Sequence, residues 1–301
     1  MNFPKISVIT PCLNRASMIS VAIESVLVQH YPNFEHIIVD GGSTDGTLEL
    51  LNKYGHLNLI VEKDNGMYDA LNRGIHHASG EIICFLNADD RFLPGSFIQV
   101  IAQFERKNAD AVIGRATMIS GKDTSRQKIL SVQPEHWWET LILGIPIFNA
   151  WFFHRVVFGE LGEFDTRFKI AGDRDLLIRF GLANFKPGFI DHPIYEYTVH
   201  EGSLSLGRRP FNVYRMCTEN LWLVEKWQKQ ASNPPQVDPF LQQLALRETA
   251  EMVIQAIKDR SVSKGFSYIQ LGRQREPAFL PFLFKKIILG VGSKLNRRPL
   301  L

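Results

Sequence analysis

Four short apolar runs, residues 6–10, 34–40, 57–61 and 81–86, punctuate the first 90 residues of this 301-residue chain. Runs of that length bounded by turn-formers read as buried strands. Between them lie stretches with helical spacing at 17–29, 47–54 and 67–78; in the first, Ile19, Ile23, Val26 and Leu27 form one apolar face. Strand–helix alternation at this pace implies right-handed βαβ units, hence an α/β fold with a mainly parallel central sheet flanked by helices. Residues 111–197 are less regular: 111–113 reads as a strand and 173–183 as the clearest helix. Beyond them the pattern is helical at 214–230, 240–258 and 279–295, with a break at Pro234-Pro235. The expected organisation is an α/β domain over 1–209 and a helical region over 210–301.

Composition narrows the class. Hydrophobic residues at 45% and charged residues at 22% are ordinary for a globular protein. Cys12, Cys84 and Cys217 follow no metal-ligand spacing and read as buried thiols in a reducing compartment, so a cytoplasmic location is expected. The first residues lead straight into a strand, so no leader is expected, and no apolar run is long enough to span a bilayer. The net charge of +3 is uneven. Residues 273–301 hold seven basic residues against one acid, a net +6, which leaves −3 for the rest. A nucleic-acid enzyme would carry basic residues through its main body, so nucleic acid is not the expected partner.

Three polar clusters follow the apolar runs. They are Pro11-Cys12-Leu13-Asn14, then Asp40-Gly41-Gly42-Ser43-Thr44-Asp45-Gly46-Thr47, then Asn87-Ala88-Asp89-Asp90. In an open α/β sheet they meet at the carboxyl edge, where such sheets bind ligands. Carboxylates concentrated there suit a hard divalent cation, and a cation suits phosphate. The lysine and hydroxyl of a P-loop are missing, and so is a Gly-x-Gly-x-x-Gly after the first strand.

These clusters carry a resemblance. With Asp64-Asn65-Gly66-Met67-Tyr68-Asp69-Ala70-Leu71-Asn72-Arg73-Gly74, Leu161-Gly162-Glu163-Phe164-Asp165, Gly172-Asp173-Arg174-Asp175-Leu176 and His200-Glu201-Gly202-Ser203-Leu204-Ser205, the chain resembles glycosyltransferase family 2 over about residues 4–206. Within that family it looks most like bacterial exopolysaccharide and surface-polysaccharide enzymes. The resemblance implies a GT-A fold with a helical C-terminal extension. It also implies metal-dependent, inverting transfer of a sugar from a nucleotide-sugar, such as a UDP-sugar, to a saccharide or lipid-linked saccharide acceptor.

Residue roles follow from the same likeness. The family's Asp-x-Asp motif falls on Asn87-Ala88-Asp89, making Asp89 the expected ligand of Mn²⁺ or Mg²⁺, with Asn87 and Ala88 at the donor and Asp90 behind. His200 matches a second metal ligand. The family's Glu-Asp motif falls on Gly172-Asp173, so Asp173 is the expected general base and Asp175 the runner-up; both acids can also charge the start of their helix. Pro11, Leu13, Asn14, Asp40, Gly41, Asp69, Asn72 and Arg73 are expected at the donor. Leu13 and Gly41 stand where many relatives carry a tyrosine and a second aspartate at the base, and Gly172 where they carry glutamate.

Trp137, Trp138, Phe148, Trp151, Phe152 and Phe153 read either as core or as an acceptor platform, with Asn149 a polar group in such a pocket. Residues 279–298 mix large apolar residues with basic ones and contain no acid, which suits an anionic membrane interface and a peripheral position at its inner face. A docked terminal helix or an oligomer contact fits the same composition. Two rival functions share the acidic clusters: a nucleotidyltransferase, and a non-catalytic regulator that binds nucleotide-sugars.

Overall fold

Because the first apolar runs are short, almost wholly apolar and separated by crossover helices, they pair in parallel. The computed structural model describes residues 3–120, 123–200, 210–229 and 237–295. The first elements are β1 (Ile6–Cys12), α1 (Ile19–Leu27), β2 (Phe34–Asp40), α2 (Thr47–Leu51), β3 (Leu57–Val61), α3 (Met67–His77), β4 (Ile82–Phe85), the two-residue β5 (Arg91–Phe92) and α4 (Ser96–Lys107). After them come β6 (Ala111–Ser120), β7 (Asp123–Leu130), α5 (Trp137–Leu143), β8 (Trp151–His154), α6 (Val156–Leu161), α7 (Gly172–Leu182) and β9 (Pro187–Val199).

Among the described residues, nine strands form one sheet in the order β3-β2-β1-β4-β8-β6-β9-β5, with β7 paired to β6. The run from β3 to β4 is parallel throughout, as the alternation of strand and helix predicts. Beyond it the pairing is mixed: β8 lies antiparallel between β4 and β6, and β9 is parallel to β6. The strand order reverses at β1, which lies between β2 and β4. Cys12 is in register with Asp40, and Ile9 with Phe85. The three polar clusters therefore leave the same edge of the sheet.

Both faces of these strands are covered. Ile6, Val8, Ile9, Ile37, Ile38, Val39 and the whole of β4 are buried. The aromatic run divides. Trp151, Phe152 and Phe153 have no exposed surface and Phe148 almost none, so they are core. Phe85 stacks on Phe148, and Trp151 on Phe153. Trp137 and Trp138 stay half-buried on α5. All three cysteines are buried free thiols.

The chain divides into two compact units, Met1–Val199 and His200–Leu301. In the second, the described helices are α8 (Pro210–Gln228), α9 (Val237–Lys258), α10 (Val262–Arg275) and α11 (Phe279–Leu295). Its core includes Ala250, Val253, Phe279 and Leu283. Among the described residues, no helix is long and apolar enough to cross a membrane.

Candidate active site

Backbone-to-side-chain bonds join the loops that leave β1 and β2. Asn14, in the left-handed conformation that asparagine tolerates, donates its N–H to Ser43 Oγ at 2.7 Å and accepts the Thr44 N–H on Oδ1 at 2.9 Å. The Arg15 N–H reaches Thr47 Oγ1 at 2.8 Å and the Ala16 N–H reaches Asp45 Oδ2 at 3.2 Å. Behind them, Asp40 is fully buried. Its Oδ1 accepts the N–H groups of Gly42 and Ser43, and its Oδ2 accepts the Ser43 hydroxyl at 2.7 Å. Asp40 thus shapes the loop from within instead of facing a ligand, a correction to the role expected of it. Pro11, the penultimate residue of β1, is half-buried, and Leu13 is exposed at this edge.

Gly41 exposes a residue that the sequence did not single out. A Cβ there would lie 2.5 Å from Asp64 Oδ2. The Asp64 carboxylate, held by the Gly66 N–H on Oδ1 at 2.8 Å, occupies the space of a side chain at position 41. In the sequence it stands only as the first residue of the Asp64–Gly74 motif, with no role of its own assigned.

On α3 the expected donor residues divide. Asn72 is buried and exchanges two hydrogen bonds with the Phe164 backbone, Nδ2 to the carbonyl at 2.9 Å and Oδ1 from the N–H at 3.0 Å. It pins two segments and does not face the crevice, a second correction. Asp69 accepts the Asn65 N–H at 2.8 Å and pairs with Arg73, which also pairs with Glu62 at 2.8 Å.

The loop after β4 is tied to β9. Asp90 is buried; Oδ1 accepts the Thr198 N–H at 2.8 Å, and Oδ2 accepts the Tyr195 hydroxyl at 2.9 Å and Asn87 Nδ2 at 2.8 Å. Tyr195 in turn accepts from Asn149 Nδ2 at 2.9 Å, which places Asn149 in this buried network and not in an acceptor pocket. Burial, then the charge of Asp89, pushes the Asp90 carboxyl up to about 7. Ala88 is buried, while Asn87 and Asp89 keep part of their surface exposed. Deleting the Asp90 carboxylate leaves one buried donor, the Tyr195 hydroxyl, and two half-buried ones, Asn87 Nδ2 and the Thr198 N–H, without their acceptor, at up to about 1–3 kcal/mol each. Asp90→Ala is therefore expected to lower the thermal midpoint by roughly 10 °C; a midpoint within one degree of wild type would show that this network is not structural.

At the start of α7, Asp173 and Asp175 have opposite surroundings. Asp175 has no exposed surface, and its Oδ2 pairs with Arg179 Nε at 3.1 Å. Arg179 also donates to the carbonyls of Leu161 and Glu163. No acceptor can reach Asp175, which corrects its standing as alternative base. Asp173 is only half-buried, and burial pushes its carboxyl above the usual carboxylate range. Its Oδ1 accepts the Arg174 N–H at 2.7 Å and the Tyr68 hydroxyl at 3.3 Å.

Tyr197 on β9 links these acids. Its phenol is raised by burial and then by the charges of Asp90, Asp173 and Asp89, so all three carboxylates lie within electrostatic range of one side chain. His200 directly follows β9 and opens the second unit. Among the described residues, no three histidines, cysteines or acids form a ready-made metal cage. A surface depression lined by Ile75, His76, Glu81, Ile83, His154 and Arg155 lies at the amino end of β4, away from these acids.

Comparisons with known proteins give the family and the fold. The family profile described as Glycosyl transferase family 2 matches residues 7–160. A PGL/p-HBAD biosynthesis glycosyltransferase of Mycobacterium tuberculosis is 31% identical over 192 residues, covering 60% of this chain and 70% of the relative. The putative glycosyltransferase EpsE of Bacillus subtilis is 30% identical over 239 residues, covering 71% and 82%. Among solved structures, the mannosyltransferase PcManGT of Pyrobaculum calidifontis, in complex with GDP-Man and Mn²⁺, superposes with a TM-score of 0.61 at 18% identity, over 95% of this chain and 87% of that one. S. aureus TarS 1-349 in complex with UDP-GlcNAc gives 0.59 at 19% identity, over 92% of each chain. At these identities the structural likeness is one of fold.

Proposed function

The chain belongs to glycosyltransferase family 2, and on that premise we propose that it moves a sugar, with inversion, from a nucleotide-sugar to the hydroxyl of a saccharide or lipid-linked saccharide in bacterial cell-surface polysaccharide synthesis. It is a glycosyltransferase with an α/β GT-A fold. In this reading residues 1–209 form the transferase domain and 210–301 a helical region. The observation that supports the mechanism is that Asp89, after β4, and Asp173, at the start of α7, both keep part of their surface exposed and both act electrostatically on Tyr197.

The donor set fits a metal that arrives with the nucleotide. One partly exposed carboxylate, Asp89, next to the Asn87 amide suits Mn²⁺ or Mg²⁺, since Mg²⁺ is commonly held by one or two carboxylates plus substrate phosphates. When bound, such an ion supplies Lewis-acid neutralisation of the leaving diphosphate. His200 carries over from the family pattern as a second ligand. The joined loops after β1 and β2, with Leu13, Asn14 and Gly41, form the donor wall. Asp173 takes the proton from the attacking hydroxyl; its raised affinity for protons matches a general base.

Thermal stabilisation by a panel of nucleotide-sugars, with and without Mn²⁺, tests the binding step by mass action. Release of free nucleoside diphosphate on adding acceptor separates an enzyme from a regulator. Stabilisation without any turnover across a broad acceptor panel would favour the regulator.

The membrane reading rests on α11. Its inner face packs Phe279 and Leu283 into the core of the second unit, and Lys286 pairs with Glu251. Its outer face leaves Phe284, Ile288 and Leu289 at 64%, 68% and 62% exposed, next to exposed Lys285. Residues 277–301 contain no acid, so a second copy laid on this stripe would bring like charges together, whereas anionic lipid neutralises them. This would place the enzyme at the inner face of the cell membrane, facing the cytoplasm. Residues 296–298 of the expected interface lie outside the described residues. Intact protein is expected to sediment with phosphatidylglycerol vesicles and to be released by high salt; Phe284→Asp with Ile288→Asp, which spares the inner face, is expected to stay in the supernatant. Equal sedimentation of both forms would remove the interface.

A further inference from the structure

Tyr68, the second residue of α3, is 2% exposed and meets α7 at its first turn. Its ring stacks on Phe164 with centroids 5.3 Å apart. The ring closes over Gly172 so tightly that a Cβ there would lie 2.8–2.9 Å from three ring carbons. Position 172 can hold no side chain while Tyr68 keeps this place. The ring thus occupies the volume in which the family's glutamate would project, and it brings a hydroxyl to the neighbouring acid. That hydroxyl lies 2.7 Å from the Ile170 carbonyl and 3.3 Å from Asp173 Oδ1.

A phenol has one proton to donate. With Asp173 neutral, the Ile170 carbonyl at 2.7 Å is the better acceptor. With Asp173 ionised, donation to the carboxylate is charge-assisted and stronger. Together with the Arg174 N–H, the hydroxyl holds Oδ1, and among the described residues Oδ2 has no hydrogen-bond partner. We propose that Tyr68 is the positioning residue of the catalytic base: its hydroxyl fixes Oδ1 of ionised Asp173 and so aims Oδ2 at the acceptor hydroxyl. This rests on the assignment of Asp173 as base. The ionisable groups acting on Asp173 are Tyr68 from α3, Arg174 on its own helix and Tyr197 from β9.

The sign of the effect is set. Burial raises the proton affinity of Asp173, while the Tyr68 hydroxyl and Arg174 lower it. Removing the hydroxyl raises it further, so a base that must be ionised to work does so only at higher pH. Tyr68→Phe retains the ring on Gly172 and Phe164. It is expected to move the acid limb of the kcat–pH profile up by roughly one unit, to cut kcat about tenfold on the acid side of that limb, and to leave the donor KM unchanged. Gly172→Ala, which wedges the ring aside without changing the phenol, is expected to move the limb in the same direction.

Asp173→Asn is measured alongside. If it cuts transfer as expected and the residual rate falls no further when Tyr68→Phe is added, the two residues act as one unit. If Asp173→Asn abolishes transfer but neither Tyr68→Phe nor Gly172→Ala shifts the limb, the positioning role is overturned and the base stands. If Asp173→Asn keeps wild-type transfer and its acid limb, base and positioning role fall together.

Discussion

Asp89→Ala is expected to abolish Mn²⁺-dependent binding of a nucleoside diphosphate while leaving the fold intact. The two neighbouring acids divide the work. Asp90 is buried and accepts hydrogen bonds from Thr198, Tyr195 and Asn87, so it holds the loop. Asp89 keeps part of its surface exposed, and no three-acid cage stands ready to replace it among the described residues. Calorimetric titration of UDP and GDP, with and without Mn²⁺, reads the loss directly, and a thermal melt without ligand verifies the fold. An Asp89→Ala protein that binds nucleoside diphosphate with the same Mn²⁺ requirement as wild type would end the metal assignment.

The second large effect separates the two acids of α7. Asp173→Asn keeps the shape but cannot take a proton, so transfer is expected to fall roughly 10²- to 10⁴-fold with donor binding near normal. Asp175→Asn is expected to act on stability instead. Asp175 is fully buried against Arg179, and breaking one side of a buried ion pair costs about 3–5 kcal/mol. For a domain of this size that is a fall of roughly 10 °C in the thermal midpoint. Initial rates of nucleoside diphosphate release and melting curves on both variants give the answer. A normally stable but inactive Asp175→Asn beside an active Asp173→Asn would reverse the roles.

The sequence was most legible where structure is local. The strands Phe34–Asp40 and Leu57–Val61 carry the bounds that their apolar runs predict, and α3 and α7 lie within one residue of theirs. Elsewhere pairing defines the element. Arg91–Phe92 is a strand only because it pairs with β9, and β6 runs through Ser120, well beyond the expected 111–113, along β9 and β7. The helices Ser96–Lys107 and Val262–Arg275 carry no expectation from the sequence.

By itself, the chain determined the α/β class, the edge of the sheet where its acids gather, and the family, because periodicity and motif spacing are written in consecutive residues. Only the tertiary structure decided which polar side chains remain available. Asp40, Asn72, Asp90 and Asp175 look in sequence like Asp89 and Asp173, yet each is buried and bonded to other residues of the fold. The two glycines show the same division. In sequence Gly41 and Gly172 are missing acids; in the fold, the Asp64 carboxylate and the Tyr68 ring fill the spaces beside them. Such compensation comes from residues tens of positions away, and only close packing in three dimensions brings them together.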